Sequence, residues 1–242
     1  MGYQAVFKRY ELKYMLTDAQ AELLLKEIAP YMEKDRYGHT TIRNIYFDTP
    51  DDRLVRHSIE KPVYKEKLRL RSYGCPGEDT PVFAELKKKY KGVVYKRRVQ
   101  LPEQQAINWL CHGKDHPQKT QITEEIDYFC KFYQNLQPKV FLSYDRDAYY
   151  GADTDFRITL DRNIYSRHKD ISLNGEIGGT PLLQENMVLM ELKTPGGIPL
   201  WMTRFLTEQG IFKMSFSKYG TAYRRKFSEQ IKGERNYAGI DF

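Results

Sequence analysis

The chain has 242 residues and carries a formal charge of +7 at pH 7, with a sequence pI near 9.1; that length supports one large β-rich domain or two small ones. The basic balance favours an acidic partner without choosing between nucleic acid, lipid headgroups and a phosphorylated metabolite. Three cysteines with no CxxC, Cys75, Cys111 and Cys130, indicate neither a disulfide framework nor a zinc knuckle and fit reduced, structural thiols.

From the N-terminus, a first strand is expected over residues 5–16, because Arg9-Tyr10-Glu11-Leu12-Lys13-Tyr14 alternates charge and apolarity with the period of a β-strand. Thr17 and Gln20 form a capping-box pair that opens a helix carrying Leu23, Leu24 and Ile28 and closing near Pro30. A strand over residues 43–49 stops at Pro50. Three charged strands follow, over residues 63–73, 82–90 and 93–101; Lys91-Gly92 makes the second break a hairpin turn, and Gly74-Cys75-Pro76-Gly77 makes the first a looser connection. Pro102-Glu103 opens a helical stretch through Trp109 and Leu110, and Ile122, Ile126, Phe129, Tyr133 and Leu136 recur at helical spacing. Strands are then expected over residues 140–150, 156–165 and 188–193, and a helix with Trp201, Phe205 and Leu206 between Pro199 and Gly210. With no repeat or linker in this pattern, one domain over residues 1–232 is expected, with 233–242 as a loosely held tail.

Four separate runs share one design: Arg9 to Tyr14, Lys67-Leu68-Arg69-Leu70-Arg71, Glu85-Leu86-Lys87 and Glu191-Leu192-Lys193. Each lays charges on one strand face and Leu or Tyr on the other. An α+β fold follows, in which about eight antiparallel strands close into a barrel or tunnel with a polar, basic lumen and helices packed outside. The expected inward set is Glu11, Lys13, Lys67, Arg69, Arg71, Glu85, Lys87, Lys96, Arg98, Arg146, Arg157, Glu191, Lys193 and Lys218. Eleven of these are cations and three are carboxylates, so the lumen must be wet and occupied by anions, the natural ligand being a phosphate chain.

Blander readings exist for each piece. Any one run suits a solvated face with cross-strand ion pairs, but all of them together would leave the basic excess without a partner. Glu191 alone could serve a local ion pair, and Ser217 could cap a helix. His112 and His116 are four apart beside Cys111, yet Gly113 and Pro117 interrupt the helix a zinc site would use. Tyr144, Tyr149 and Tyr150 read as β-packing aromatics rather than base-stacking platforms. No apolar run approaches the roughly 18 residues that span a bilayer, the start has no hydrophobic signal core, and Met1-Gly2 lacks the Ser or Thr at position 6 of a myristoylation motif. A soluble, cytoplasmic protein is the expectation.

In order along residues 7–226, the pieces Arg-Tyr-Glu-Leu-Lys-Tyr, Lys-Leu-Arg-Leu-Arg, Glu-Leu-Lys-Lys-Lys, Tyr-Asp-Arg, Arg-Ile-Thr-Leu-Asp, Met-Glu-Leu-Lys and Ser-Phe-Ser-Lys-Tyr resemble the VTC-type polyphosphate polymerase domain of the triphosphate tunnel metalloenzyme superfamily. The resemblance implies an eight-stranded tunnel, ATP as phosphoryl donor, a divalent metal (Mn2+ or Mg2+) and a growing inorganic polyphosphate chain as acceptor. It also implies site residues. Lys67, Arg69, Arg71, Lys87, Arg146 and Lys218 would carry catalysis by gripping phosphates, with Arg9, Lys13, Lys96, Arg98, Arg157, Lys193 and Ser217 as further phosphate or nucleotide contacts. Glu191, Glu11 and Glu85 would supply metal ligands.

One departure shapes the functional reading. The superfamily's hydrolases begin with Glu-x-Glu-x-Lys, whereas this chain has Arg9-Tyr10-Glu11-Leu12-Lys13. Exchange of a metal-binding carboxylate for a cation favours holding a long polyanion over two-metal hydrolysis of a short triphosphate. ATP-dependent polyphosphate synthesis is therefore the leading expectation. The alternatives are a CYTH-like enzyme processing triphosphates or nucleotides, and a non-catalytic polyanion-binding module. The expected partners are ATP and polyphosphate, with no sequence-specific nucleic acid and no membrane segment in this chain; coupling to a membrane would need a separate partner.

Overall fold

The computed structural model describes residues 10–114, 116, 118–151 and 155–237. In chain order the elements are β1 (Tyr10–Thr17), α1 (Asp18–Ile28), β2 (Glu33–Asp48), α2 (Arg53–Ile59), β3 (Tyr64–Tyr73), β4 (Pro81–Tyr90), β5 (Val93–Pro102), α3 (Glu103–His112) and α4 (Gln121–Tyr133). They continue with β6 (Gln137–Tyr150), β7 (Arg157–Arg167), β8 (Thr180–Pro181), β9 (Met187–Thr194), α5 (Leu200–Glu208), β10 (Lys213–Met214) and α6 (Lys218–Tyr237). The stretch expected as a tail thus begins inside α6, and residues 238–242 lie outside the described residues.

Local chemistry accounts for most element ends. Thr17 and Gln20 form the expected capping box, the Gln20 N–H donating to Thr17 Oγ1 at 3.2 Å and the Thr17 N–H to Gln20 Oε1 at 3.0 Å, an arrangement that stabilises a helix by about 1 kcal/mol. Lys91 and Gly92 both take positive φ, 46° and 86°, the backbone of a tight two-residue hairpin. The short helix α2, which the apolar pattern did not announce, is held by Asp48 just before it, which a distant tyrosine anchors in turn. Asp48 accepts the N–H groups of Leu54 and Val55 at 2.7 and 2.9 Å and the hydroxyl of Tyr219 at 2.7 Å.

All ten strands form one antiparallel sheet in the order β10-β1-β9-β7-β6-β2-β3-β4-β5, with β8 added to β7. The sheet is large and strongly curled, but it does not close into the expected barrel. The outer side of β1 is taken by β10, with Lys13 opposite Met214, so β5 has no backbone partner there. Side chains bridge the gap instead: Lys87 of β4 reaches Glu11 of β1 at 2.8 Å, although five strands separate them in the sheet order.

Three apolar clusters hold the layers. On the convex face, α1 and α5 cover β1, β7 and β9 through Leu16, Leu24, Ile158, Leu192 and Phe205, while α3 and α4 cover β2 to β6 through Phe47, Leu68, Leu86, Trp109 and Ile126. Each such side chain contributes roughly 1.5–3 kcal/mol on burial. The third cluster corrects the expectation that every helix lies outside. At one end of the concave face Ile42, Val140, Leu142 and Leu189 replace charges, and α2 and α6 pack onto them through Val55, Tyr219 and Ala222. Apolar strand residues need cover on whichever face they occupy, and here the cover comes from within the curl. No helix among the described residues is long and apolar enough to cross a membrane.

Candidate functional site: a basic concave face

Strand register assembles the site. Lys67 lies opposite Lys87 and Arg69 opposite Glu85 across β3 and β4; Glu85 and Lys87 lie opposite Arg98 and Lys96 across β5. On the other half, Glu191 lies between Lys13 of β1 and Thr159 of β7, and Arg146 of β6 faces Asp161 of β7. The inward parity expected from the alternation therefore holds on both sides. Lys88, of opposite parity, reaches outward to Glu125 of α4 at 4.0 Å.

Each carboxylate organises a group of cations. Glu85, only 1% exposed, is met by Arg69 Nη2 at 2.6 Å, Lys96 at 2.6 Å, Arg98 at 3.4 Å and Arg71 at 3.9 Å. Burial pushes its pKa up, but Arg71, Arg69 and Lys96 outweigh burial and hold it well below the usual carboxylate range. Asp161 accepts both arms of Arg146, at 2.6 and 2.7 Å, and Lys218 at 2.5 Å. Glu191 sits among Lys193 at 3.2 Å, Lys13 at 3.3 Å, Lys218 at 3.7 Å and Arg146 at 3.9 Å. Against the effect of burial, chiefly Lys13 and Lys193 keep it ionised. Glu11 is held at about 2 despite burial, chiefly by Lys87.

Two tyrosines tie these groups together. Arg69 donates to Tyr46 at 3.0 Å, and Arg71 donates to Tyr144 at 3.1 Å and to Asn44 at 3.0 Å. The Lys218 ammonium lies 4.4 Å from the Tyr144 ring centre, close enough for cation–π attraction. Tyr144 is thus a packing aromatic, as expected, and also a wall of the site. Lys67 donates to Ser217 Oγ at 3.1 Å while Ser217 accepts the Gly220 N–H at 3.2 Å, so this serine caps α6 and faces the cations at once.

The remaining expected residues divide clearly. Lys193 donates to Thr159 at 3.1 Å within the cluster. Arg157 lies at an exposed strand end opposite Lys193. Arg9 lies outside the described residues. The residue missed was Asp161. Its signal was present in the alternation of Arg157, Thr159 and Asp161, but its partners become visible only with the β6–β7 register.

Among the described residues no group of three or more His, Cys, Asp or Glu side chains is placed to hold a metal by itself. The donor chemistry still fits one kind of ion. Glu191 and Glu11 interact through their charges and offer hard oxygens, and magnesium-like ions are commonly held by one or two carboxylates plus substrate phosphates. Glu85 does not fit that part, because Arg69 and Lys96 hold its oxygens at 2.6 Å and its side chain is only 1% exposed, whereas the nearest cation to Glu191 lies 3.2 Å away and that side chain keeps 11% exposure.

Burial also lowers two lysines, Lys67 to about 8, with Lys13, Lys65 and Lys87 adding to the effect, and Lys96 to about 7 despite Glu85 beside it. A bound polyanion favours the protonated forms. Tripolyphosphate affinity should therefore fall as pH rises from 7 to 9, and binding at pH 8 should take up protons. Calorimetry in two buffers of different ionisation enthalpy measures that uptake; zero uptake would contradict it. The unliganded protein should behave oppositely. Between the lowered pKa values and the ordinary lysine value the unfolded chain holds more protons, so stability rises with pH there.

A curled antiparallel sheet with a carboxylate-organised basic interior defines a fold of the broad phosphate- or nucleotide-processing class. The family model of the VTC domain matches residues 8–227, and the chain belongs to that family. Comparison with curated proteins gives no match. Among solved structures, the chain is similar to a candidate adenylate cyclase from Bacillus halodurans, with 15% identity, 88% of this chain and 96% of that chain covered and a TM-score of 0.56. It is also similar to a candidate adenylyl cyclase from Hippeastrum described as having a dominant triphosphatase activity, with 17% identity, 90% and 96% covered and a TM-score of 0.54. At such identities the likeness establishes the fold.

Proposed function

We propose that this chain transfers the γ-phosphate of ATP to the end of an inorganic polyphosphate chain within the concave face, with Mn2+ or Mg2+ as cofactor. The observation that carries this reading is the cation excess around four carboxylates, Glu11, Glu85, Asp161 and Glu191, on one continuous strand face. Bound anions relieve the cost of the cations that four carboxylates leave uncompensated.

In this reading Arg69 and Arg71, oriented by Glu85, Tyr46 and Asn44, hold the nucleotide phosphates through planar forks, with Lys87, Lys96 and Arg98 neutralising charge around them. Arg146 and Lys218, fixed by Asp161, lie against the transferring phosphoryl group, and Lys13, Lys67, Lys193 and Ser217 steady the acceptor. Glu191, with Glu11, would hold a divalent cation, which would supply charge neutralisation at the phosphates. A terminal phosphate oxygen of the acceptor attacks the γ-phosphorus, the bond to the β-phosphate oxygen breaks, and ADP leaves. No side-chain nucleophile is needed, since positioning and electrostatics dominate phosphoryl transfer.

Hydrolysis is the second reading, favoured by the neighbouring carboxylates Glu11 and Glu191. An acceptor held in line can reach effective molarities of about 10⁵ M or more and so outcompete water. Incubation with ATP and Mn2+ should give a phosphate ladder on a gel, stimulated by short polyphosphate and exceeding free phosphate in the same time course. Stoichiometric ADP and free phosphate with no polymer would establish the hydrolase reading instead; binding with no turnover would leave a polyanion-binding module.

A further inference from the structure

The carboxylates do not serve the whole concave face. Glu85 gathers its cations on β3 and β5, and Asp161, Glu191 and Glu11 gather theirs mainly on the β1 side, but β3 and β4 continue past Lys67 and Lys87 with the same parity. There Lys65 lies directly opposite Lys89, one same-face step beyond the pair of Lys67 and Lys87. Like charges directly opposite on neighbouring strands destabilise a sheet. Among the described residues neither Lys65 nor Lys89 has a carboxylate within ion-pair distance, the ammonium of Lys65 donating only to the Ser58 carbonyl at 3.1 Å. Both are partly buried. Lys13, Lys61, Lys87 and Lys89 add their repulsion to burial in lowering the pKa of Lys65, which puts the pair in one electrostatic neighbourhood with the site.

We propose that Lys65 and Lys89 form an extension subsite, at the β3–β4 end of the concave face, for the phosphates of a polyphosphate chain lying beyond those held at Arg69. The inference rests on the polyphosphate reading above and adds the direction in which the chain runs. Four residues of strand from Arg69 to Lys65 span about 13 Å, a track that a bound triphosphate alone leaves without anions at its far end. Lysine suits it, because a mobile point charge follows an unbranched anionic chain without fixing its register. A nucleic-acid strand fits less well. The aromatic neighbours Tyr64 and Tyr90 have the opposite parity, facing each other across the convex side of the ladder, so neither offers the lysines a stacking platform.

The test compares binding of tripolyphosphate, long-chain polyphosphate and single-stranded RNA by the full chain at fixed salt. The proteins are the parent, Lys65→Gln/Lys89→Gln, Lys65→Arg/Lys89→Arg, and an outer-face control, Lys88→Gln/Lys119→Gln, with the same charge loss. The parent should bind the long chain roughly tenfold or more tighter than tripolyphosphate, as expected when extra phosphates meet extra cations. The Gln pair should lose most of that difference while holding tripolyphosphate within about threefold, the Arg pair should retain it, and the control should resemble the parent. Equal long-chain affinity in the parent and Gln pair, an equal loss in the outer-face control, or tighter binding of RNA through the same two lysines overturns the inference while tripolyphosphate binding by the parent leaves the main reading standing. Should the Gln pair fail to fold, an Arg pair with unaltered folding and no length preference overturns it equally. A parent that binds neither phosphate ligand overturns both.

Discussion

Glu191→Gln should reduce metal-dependent turnover by roughly two orders of magnitude, equivalent to about 3 kcal/mol of transition-state stabilisation, while leaving phosphate binding largely intact. The substitution keeps the volume and removes the charge of the one carboxylate that sits among Lys13, Lys193, Lys218 and Arg146. Because that carboxylate also neutralises buried cations, the unliganded variant should lose stability, by up to about 3–5 kcal/mol for removal of one partner of a buried ion cluster. Bound tripolyphosphate should restore part of the loss, so its stabilising effect in thermal melts should be larger than for the parent. Steady-state rates against Mn2+ concentration check the first expectation. Parental turnover at limiting Mn2+ would remove Glu191 from the metal site.

Arg69→Ala and Arg71→Ala should each cost about 10²-fold in turnover, the usual effect of removing one preorganised donor to developing charge, whereas Lys88→Ala should stay within about threefold. All three remove one positive charge from neighbouring strands, so the comparison separates position from net charge. Lys88 faces α4, whereas Arg69 and Arg71 converge on Glu85. Arg69→Lys should fall between, since it restores the charge without the planar fork. Equal losses in all three alanine variants would mean that the basic face acts only by steering anions, and that the inward assignment carries no catalysis.

Much of this arrangement was legible because strand parity is a local property. Lys67, Arg69 and Arg71 share a face whatever their strand pairs with, and Thr17 with Gln20 announces a helix start within four residues. What could not be read depended on contacts far apart in sequence. Asp161 became a site residue only when the β6–β7 register, which shifts between Ser143 and Asp145, set it against Arg146. The first half of β2, Glu33 to Thr41, has no apolar alternation and is ordered by pairing with β6. Likewise α2 depends on Asp48 and Tyr219, 171 residues apart.

The open sheet has the same kind of cause. Nothing within β1 says that β10 will occupy its outer side, and nothing in the charged runs says that α6 will enter the concave face. Yet that entry is what brings Ser217 to Lys67 and Lys218 to Asp161. The alternating charges specified which residues face inward, while the segment from Lys213 to Ala222 determined how much of that interior stays available.

Phosphates and metal should meet on the concave face, and a crystal structure of the protein with a non-hydrolysable ATP analogue and Mn2+, the ion located by its anomalous scattering, would show where each binds. The γ-phosphate is expected within hydrogen-bond reach of Arg69, Arg71 or Arg146, and the manganese on a Glu191 oxygen. Nucleotide phosphates bound on the convex face, or manganese coordinated without Glu191, would contradict that placement.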